Sequence, residues 1–531
     1  MFSIGFERVA YFANSIHSDL LKKPVYALVA AILASSMAFI DSTALNVALP
    51  AIQKNLDLSG AQLIWVVNGY TLFLASLMLA GGALGDIYGK KRVFTTGVFL
   101  FVIASLGCGL SPNGFILILL RSFQGMAAAL MVPGSLALIS AVYPKATKGR
   151  AIGYWSMFSA LTTILGPVLG GYLASIGWWR VVFFINVPLG IAALILLFKY
   201  VKEPEIAAPE KALDIRGAIL SAVSLTLIVF SFIQGGEHGF DRWYLWVSLV
   251  VGIFLFAIFI RLEKHHKSPL LRISLFRSRV FTVANSITFF IYGGLGVFMY
   301  FLPLNLIQIQ GYSAELAGIA TLPFGICIAL LAPLSGKWID RVGPRIPLFI
   351  GPLLTGFGFW GFSLFGITEG WTDYASTFLP FMILAGVGMG LSVVPVTTSV
   401  MNAVEDEDAG SASGINNTMS RLSGVIALAL VGMFALIGFE RNVKSAIPDQ
   451  WSEGDRTKME TQAERFSGAN AAVFVDSVKR QKAKQIFDKS FLSAYHSACV
   501  IAAALCWLSA LLAWFMLKSN KSFGKTVEIS N

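Results

Sequence analysis

The sequence predicts an all-α protein that crosses a membrane about fourteen times. Composition is the first reason: of 531 residues, 56% are hydrophobic and only 13% charged, with a mean hydropathy of +0.72. A soluble chain carries roughly 25% charged residues, so this one lacks the polar surface to coat a water-soluble body of its size. Block length is the second. The apolar residues fall in runs of about 20, the helical length that crosses about 30 Å of hydrocarbon at about 1.5 Å per residue. Charge placement is the third, since Lys and Arg gather at the ends of the runs and leave their interiors nearly bare.

The runs place spans at 25–50, 62–86, 93–111, 115–142, 150–175, 181–200, 215–236, 243–262, 280–308, 315–337, 346–366, 375–402, 409–438 and 491–517. An even number of spans puts both termini on one side. The loops and tails of that side carry 25 Lys and Arg, against 13 on the other face, 10 of which lie in the long segment 440–490. Positive loops stay in the cytoplasm, so both termini are expected there, in a plasma membrane, with the bacterial inner membrane as the expected site. The acidic loop Glu405, Asp406, Glu407, Asp408 departs from the pattern. Segment 440–490 is too polar to span and reads as an external loop with partly helical pieces lying at the interface. Residues 1–24 have no uninterrupted apolar core before a small-residue cleavage site, so they read as a cytoplasmic segment with a short interfacial helix rather than a cleaved signal.

Several function classes find no support. Cys108, Cys327, Cys499 and Cys506 lie inside apolar runs without CxxC spacing, and the five histidines show no ligand spacing, so disulfides and metal sites are not expected. The net charge of +11 sits beside helix ends rather than on one amphipathic face, which fits membrane orientation better than nucleic-acid binding. No phosphate-binding loop is present, and no nucleophile and base converge at one depth as a membrane enzyme would need.

A repeat divides the chain. Gly82, Asp86, Gly89 and Lys91 follow span 2, and Gly336, Asp340, Gly343 and Arg345 follow span 10, both with the spacing G-x3-D-x2-G-x-K/R. The copies lie eight spans apart, whereas tandem six-helix bundles would set them six apart. Two additional helices between the halves, spans 7 and 8, account for the difference, and parallel halves of this kind are a transporter arrangement. The expected units are a first bundle over 25–200, two additional helices and a linker over 201–279, a second bundle over 280–517 that includes loop 440–490, and a tail over 518–531.

Span 1 carries the string from Asp41 through Asn46 to Pro50. An acid inside a membrane helix is costly unless protonated, paired or hydrated, so Asp41 is either a packing group or a protonatable one. Arg121 in span 4, followed by Gln124 and Gly125, is a candidate partner. Asp41 is expected about 13 Å below the outer end of its helix and Arg121 about 9 Å below the outer end of its own, similar depths within one bundle. A purely structural ion pair is the alternative. Span 5 carries Gly166, Pro167, Gly170 and Gly171, where glycines allow a close helix approach and proline removes a backbone hydrogen bond.

Together these strings resemble the fourteen-span drug:proton antiporter branch of the major facilitator superfamily, over almost the whole chain. Asp41–Pro50 is similar to that branch's first-helix signature, Gly82–Arg92 to the superfamily's loop motif, Arg121–Gly125 to its span-4 motif and Gly166–Gly171 to the span-5 motif of antiporters. Ser413, Gly414, Asn416, Asn417 and Thr418, followed by Arg421, resemble its span-13 pattern. Ile87 stands where the loop motif often has arginine, a place that Arg341 fills in the second copy.

The resemblance implies a major facilitator fold and proton-coupled export of amphiphilic or cationic small molecules by alternating access. Asp41 and Arg121 would couple the proton, with substrate and proton competing for one carboxylate. No cofactor is implied beyond the proton gradient. Gly82, Asp86, Gly89, Lys91, Arg92, Gly336, Asp340, Arg341, Gly343 and Arg345 would form a latch that rocking makes and breaks, together with the span-5 glycines. Asn46, Asn68, Gln124, Tyr154, Phe158, Asn285, Tyr292, Asn305, Gln308 and Asn417 are the expected cavity residues. The expected partners are substrates, protons and lipids, with a periplasmic adaptor protein as an optional one, and the working unit is a monomer. A lipid exporter or another solute carrier on the same fold is the alternative.

Overall fold

A computed structural model describes residues 23–202, 214–239, 241–266, 269–405 and 409–517. The interfacial helix expected in 1–22, the tail from 518 and acidic residues 406–408 lie outside them. Among the described residues there is no strand, and fourteen helices are long and apolar enough to cross a membrane. Spans 1 to 7 run Pro24–Leu56, Gly60–Gly85, Lys90–Leu110, Gly114–Val142, Arg150–Ser175, Val181–Tyr200 and Ile215–Glu237. Spans 8 to 14 run Trp243–Glu263, Arg279–Ile309, Ala314–Gly336, Arg345–Leu364, Phe378–Met401, Ser411–Ala446 and Ser477–Met516.

Local chemistry explains where the helices start and stop. Ser59 caps span 2, its hydroxyl accepting from the Gln62 amide while the Gln62 side chain accepts from the Ser59 amide, a reciprocal capping box. Asn113, Asp214, Ser278 and Ser313 cap spans 4, 7, 9 and 10 in the same way with one side-chain acceptor each. The two copies of the repeated motif end alike: Gly89 closes span 2 at φ 105° and Gly343 closes span 10 at φ 75°. Only glycine takes such angles without strain, which gives the motif's second glycine a structural reason. Pro303 breaks the regular ladder of span 9, which ends in a π-helical turn over Asn305–Ile309.

The halves assemble as two six-helix bundles. In the first, span 1 packs on spans 5 and 6, span 2 on span 4, and span 3 on span 4. In the second, span 9 packs on spans 13 and 14, and span 12 on spans 10 and 11. Spans 7 and 8 pack on each other, and span 7 lies against spans 2 and 13, one from each bundle. Two extended contacts join the halves: span 5 with span 10, and span 2 with span 13.

Glycines set these contacts. A β-carbon at Gly171 would fall 2.2 Å from the Ala314 carbonyl oxygen, and one at Gly318 would fall 2.3 Å from that of Pro167, so spans 5 and 10 touch backbone to backbone. Gly432 faces Ile64 across the span 2–13 seam. Toward the opposite ends of spans 2 and 5, a β-carbon at Gly82 or Gly153 would meet nothing within 4 Å.

Segment 440–490 is partly helical, as expected, and its apolar residues pack on protein. Span 13 continues to Ala446 and span 14 already begins at Ser477, and between them Glu453–Ala463 forms a helix that leads into a cap across both halves. Gln53 at the end of span 1 donates to the Arg465 carbonyl at 2.8 Å and accepts from Ser467 at 3.1 Å. Arg465 pairs with Asp57 at 2.6 Å. Phe466 then reaches into the second half, with its ring 5.2 Å from Phe439, 5.1 Å from Phe491 and 6.1 Å from Phe301. Burying this apolar surface on protein rather than lipid headgroups is what draws the segment inward.

Gly171→Leu should pry spans 5 and 10 apart. Cysteines placed at Ile64 and Gly432 should then cross-link at least several-fold less under oxidation in membranes, and an unchanged yield would mean the glycine does not hold this closure.

Candidate functional site

Inside the first bundle, spans 1, 3, 4 and 6 each contribute a polar side chain to one buried cluster. Asp41 and Arg121 form an ion pair through Oδ2 and Nη1, with exposures of 0% and 1%. The second carboxylate oxygen of Asp41 accepts from Gln124 Nε2 at 3.1 Å and from Asn186 Nδ2 at 3.4 Å. Gln124 and Asn186 also donate to the Ser105 hydroxyl, at 2.7 and 3.2 Å. Arg121 donates to the Gln124 side-chain oxygen at 2.7 Å and through Nε to the Val66 carbonyl of span 2 at 3.2 Å. The Tyr70 ring covers the guanidinium face at 4.3 Å, and Phe183 lies beyond at 5.8 Å. Such a pair repays its desolvation only with the remaining hydrogen bonds in place, and here they are.

Span geometry makes the cluster possible. Arg121, Gln124 and Gly125 lie within about one turn of span 4. Gly125 lets span 2 close in, since a β-carbon there would sit 2.2 Å from the Tyr70 carbonyl oxygen. On the far side of Asp41, span 5 packs against Thr43 and Ala44: β-carbons at Gly166 and Gly170 would lie 1.9 Å from Thr43 Oγ1 and 2.1 Å from the Ala44 carbonyl oxygen. The span-5 motif thus binds span 1 through Gly166 and Gly170, and the other half through Pro167 and Gly171.

The expected direct competition of substrate and proton at an open Asp41 does not match this geometry, because the carboxylate is fully enclosed by protein. Gln124, expected in the cavity, is a fully buried member of the same cluster. Asn68 is buried at the seam between the halves and donates to the Val425 carbonyl at 3.4 Å. Asn285 is buried within the second bundle, donating to the Phe281 carbonyl at 2.9 Å and accepting from Asn416, which also donates to Thr288 at 2.7 Å. Asn305 is fully buried beside Pro303, and Gln308 donates to Gln53 at 3.4 Å beneath the cap.

The remaining expected cavity residues are more open. Asn46 and Tyr292 are half-buried, and Tyr154 is half-buried with Arg150 over its ring at 5.8 Å. Phe158 is 40% exposed, and Asn417 is exposed and donates to the Ser413 carbonyl. Of the latch residues, Arg345 stacks over Trp514 of span 14 at 4.3 Å, Arg92 and Arg341 are exposed, and Gly336 has room against Val394. The side chains of Asp86 and Asp340 lie outside the described part.

Asn186, Ser105 and Tyr70 also belong to the site, and of these Ser105 was not singled out from sequence. Ser105 is a polar residue within an apolar run, and the need of such a group for a partner in lipid is the signal that could have found it.

Removing one partner of the pair should hurt more than removing both charges. Arg121→Gln should cost about 3–5 kcal/mol of stability. Asn186→Leu should cost about 1–3 kcal/mol. The double variant Asp41→Asn, Arg121→Gln should melt above Arg121→Gln alone. A thermal-unfolding series in detergent checks the order, and equal losses would remove the ion pair as the organising contact.

Residues 31–428 match the profile of the Major Facilitator Superfamily. The chain is 32% identical over 435 residues to multidrug resistance protein Stp of Mycobacterium tuberculosis (strain CDC 1551 / Oshkosh), covering 80% of this chain and 78% of that protein. It is 29% identical over 525 residues to the tetracenomycin C resistance and export protein of Streptomyces glaucescens, covering 96% and 94%. A crystal structure of a bacterial homolog to the human lysosomal transporter Spinster superposes with a TM-score of 0.63 at 18% identity, covering 93% of this chain and 98% of that one. With two six-helix bundles, a repeated loop motif and this breadth of similarity, the chain belongs to the major facilitator superfamily.

Proposed function

We propose that the chain is a proton-driven exporter of amphiphilic or cationic small molecules, with the capped face outside and both termini in the cytoplasm. The relatives are named for multidrug resistance and for antibiotic resistance and export, and Lys and Arg gather on the face opposite the cap. One observation carries the proton coupling: Asp41, an acid set in the apolar middle of span 1, is paired with Arg121 two residues from the point where span 5 locks onto span 1.

Coupling then works through packing rather than competition. Protonating Asp41 cancels its charge and leaves Arg121 without a counter-ion, which changes what spans 1 and 4 can tolerate between them. Span 5 is held to span 1 at Gly166 and Gly170 and to span 10 at Gly171, so a shift at the pair is felt at the seam between the halves. Such a seam has two packed arrangements rather than a continuum, which is what alternating access needs.

The driving force is adequate. One proton moving down about 100 mV gains roughly 2.3 kcal/mol, and one pH unit adds about 1.4 kcal/mol. Together they sustain a substrate gradient of several hundredfold.

In proteoliposomes with an imposed pH gradient, substrate addition should release protons, and Asp41→Asn should abolish that release while substrate binding persists. Proton release from Asp41→Asn at the parent rate would refute the assignment.

A further inference from the structure

Charge inside the membrane does not balance. Among the described residues, Arg121 and Arg421 are the Lys and Arg set within the apolar part of a span and Asp41 is the acid at comparable depth; the charges from Lys479 to Lys489, Asp488 included, belong to the polar first turns of span 14. Asp41 and Arg121 neutralise each other. Arg421 has no such relief: it makes no hydrogen bond, ion pair or ring contact with another described residue.

Its position faces the seam between the halves. Gly414, Arg421, Val425, Gly432 and Leu436 recur at intervals of seven and four, which is one face of a helix. Every other member of that face meets span 2: Gly414 lies against Leu79, the Val425 carbonyl accepts from Asn68, Gly432 lies against Ile64 and Leu436 against Gly60. Arg421 therefore points from the second bundle toward the first, within electrostatic reach of Tyr70 and Tyr292. It is half-buried rather than sealed, unlike Arg121. The buried Tyr70 hydroxyl, a free donor, finds no partner among the described residues, nor does the Thr418 hydroxyl less than a turn away on span 13.

We propose that Arg421 receives the anionic group of an amphiphilic substrate, a carboxylate, sulfonate or phosphate, between the two halves. A guanidinium in this setting is a strong and geometrically selective anion donor, and a cation held there repels organic cations. This rests on the transporter reading and narrows it from amphiphilic or cationic compounds to amphiphilic anions. A soluble organic acid and a lipid headgroup phosphate share the chemistry.

Fluorescein and rhodamine 123 test it, because they share a xanthene ring system and differ in charge sign. Anisotropy titrations use the full chain in phosphatidylcholine nanodiscs. The parent should bind fluorescein more tightly than rhodamine 123. Arg421→Gln should weaken fluorescein about tenfold, the scale of one lost charge-assisted hydrogen bond, and leave rhodamine 123 equal or tighter. Arg421→Lys, which keeps the charge, should retain the preference for fluorescein and serves if the glutamine variant does not fold.

Adding phosphatidylglycerol to the discs separates the sources. Displacement of fluorescein identifies a lipid headgroup as the occupant, and undisturbed binding identifies a soluble anion. A parent that prefers rhodamine 123, or a glutamine variant that binds fluorescein as the parent does or weakens both dyes equally, overturns the proposal. Proton release with whichever dye is carried, and its loss in Asp41→Asn, reports on coupling separately.

Discussion

Two opposite charges withdrawn from water into one helical bundle hold each other in place, and the first half is built around them. Desolvating Asp41 and Arg121 is costly, and their attraction offsets the cost only because every neighbouring span supplies something. Span 4 gives Gln124, span 3 gives Ser105, span 6 gives Asn186, and span 2 gives the Val66 carbonyl and the Tyr70 ring. In lipid, helices gain little from apolar contact with one another, so polar contacts of this kind carry much of the specificity. Five of the six spans are thereby fixed in mutual register by a single carboxylate and its partner.

The two halves share a packing device but not this charge. Span 1 meets span 5 at Gly166 and Gly170. In the second half span 9 meets span 13 at Gly296 and Gly424, where a β-carbon on Gly296 would sit 2.9 Å from the Gly424 α-carbon. Close backbone crossing of first and fifth helices is therefore common to both repeats. Where the first half has an ion pair, the second has the neutral set Asn285, Thr288 and Asn416 joining spans 9 and 13. A neutral set holds helices together without responding to a proton, so the two bundles have different parts to play in any cycle driven by one.

The fold was largely legible, because span length, charge placement and the repeated loop motif each follow from lipid as solvent. Asp41 and Arg121 were legible as a pair for the same reason: a lone acid and a lone base at similar depth need each other. What the sequence did not reveal is which way polar side chains turn. Gln124 and Asn285 look alike as cavity candidates, yet each is spent on a neighbour within its own bundle, a choice made by helix rotation that hydropathy does not encode. The seat of segment 440–490 was not legible for a related reason. Its apolar residues, Phe466 above all, are too few to cross a membrane, and their matching surface is the junction of spans 9, 13 and 14, which exists only once the bundle has formed.

Enclosure of Asp41 constrains how a proton could ever do work here. A carboxylate with no exposed surface cannot exchange its proton until the helices around it part, and parting spans 1 and 4 also disturbs span 5, which is wedged on Thr43 and Ala44. In the proposed cycle, proton exchange at Asp41 and movement at the seam are therefore one event, not two that must be synchronised. With Asp41 protonated, two guanidinium groups lack a counter-ion: Arg121 inside the first bundle and Arg421 at the seam. In the proposed cycle that stage leaves two cations uncompensated, and an anion held between the halves would relieve it.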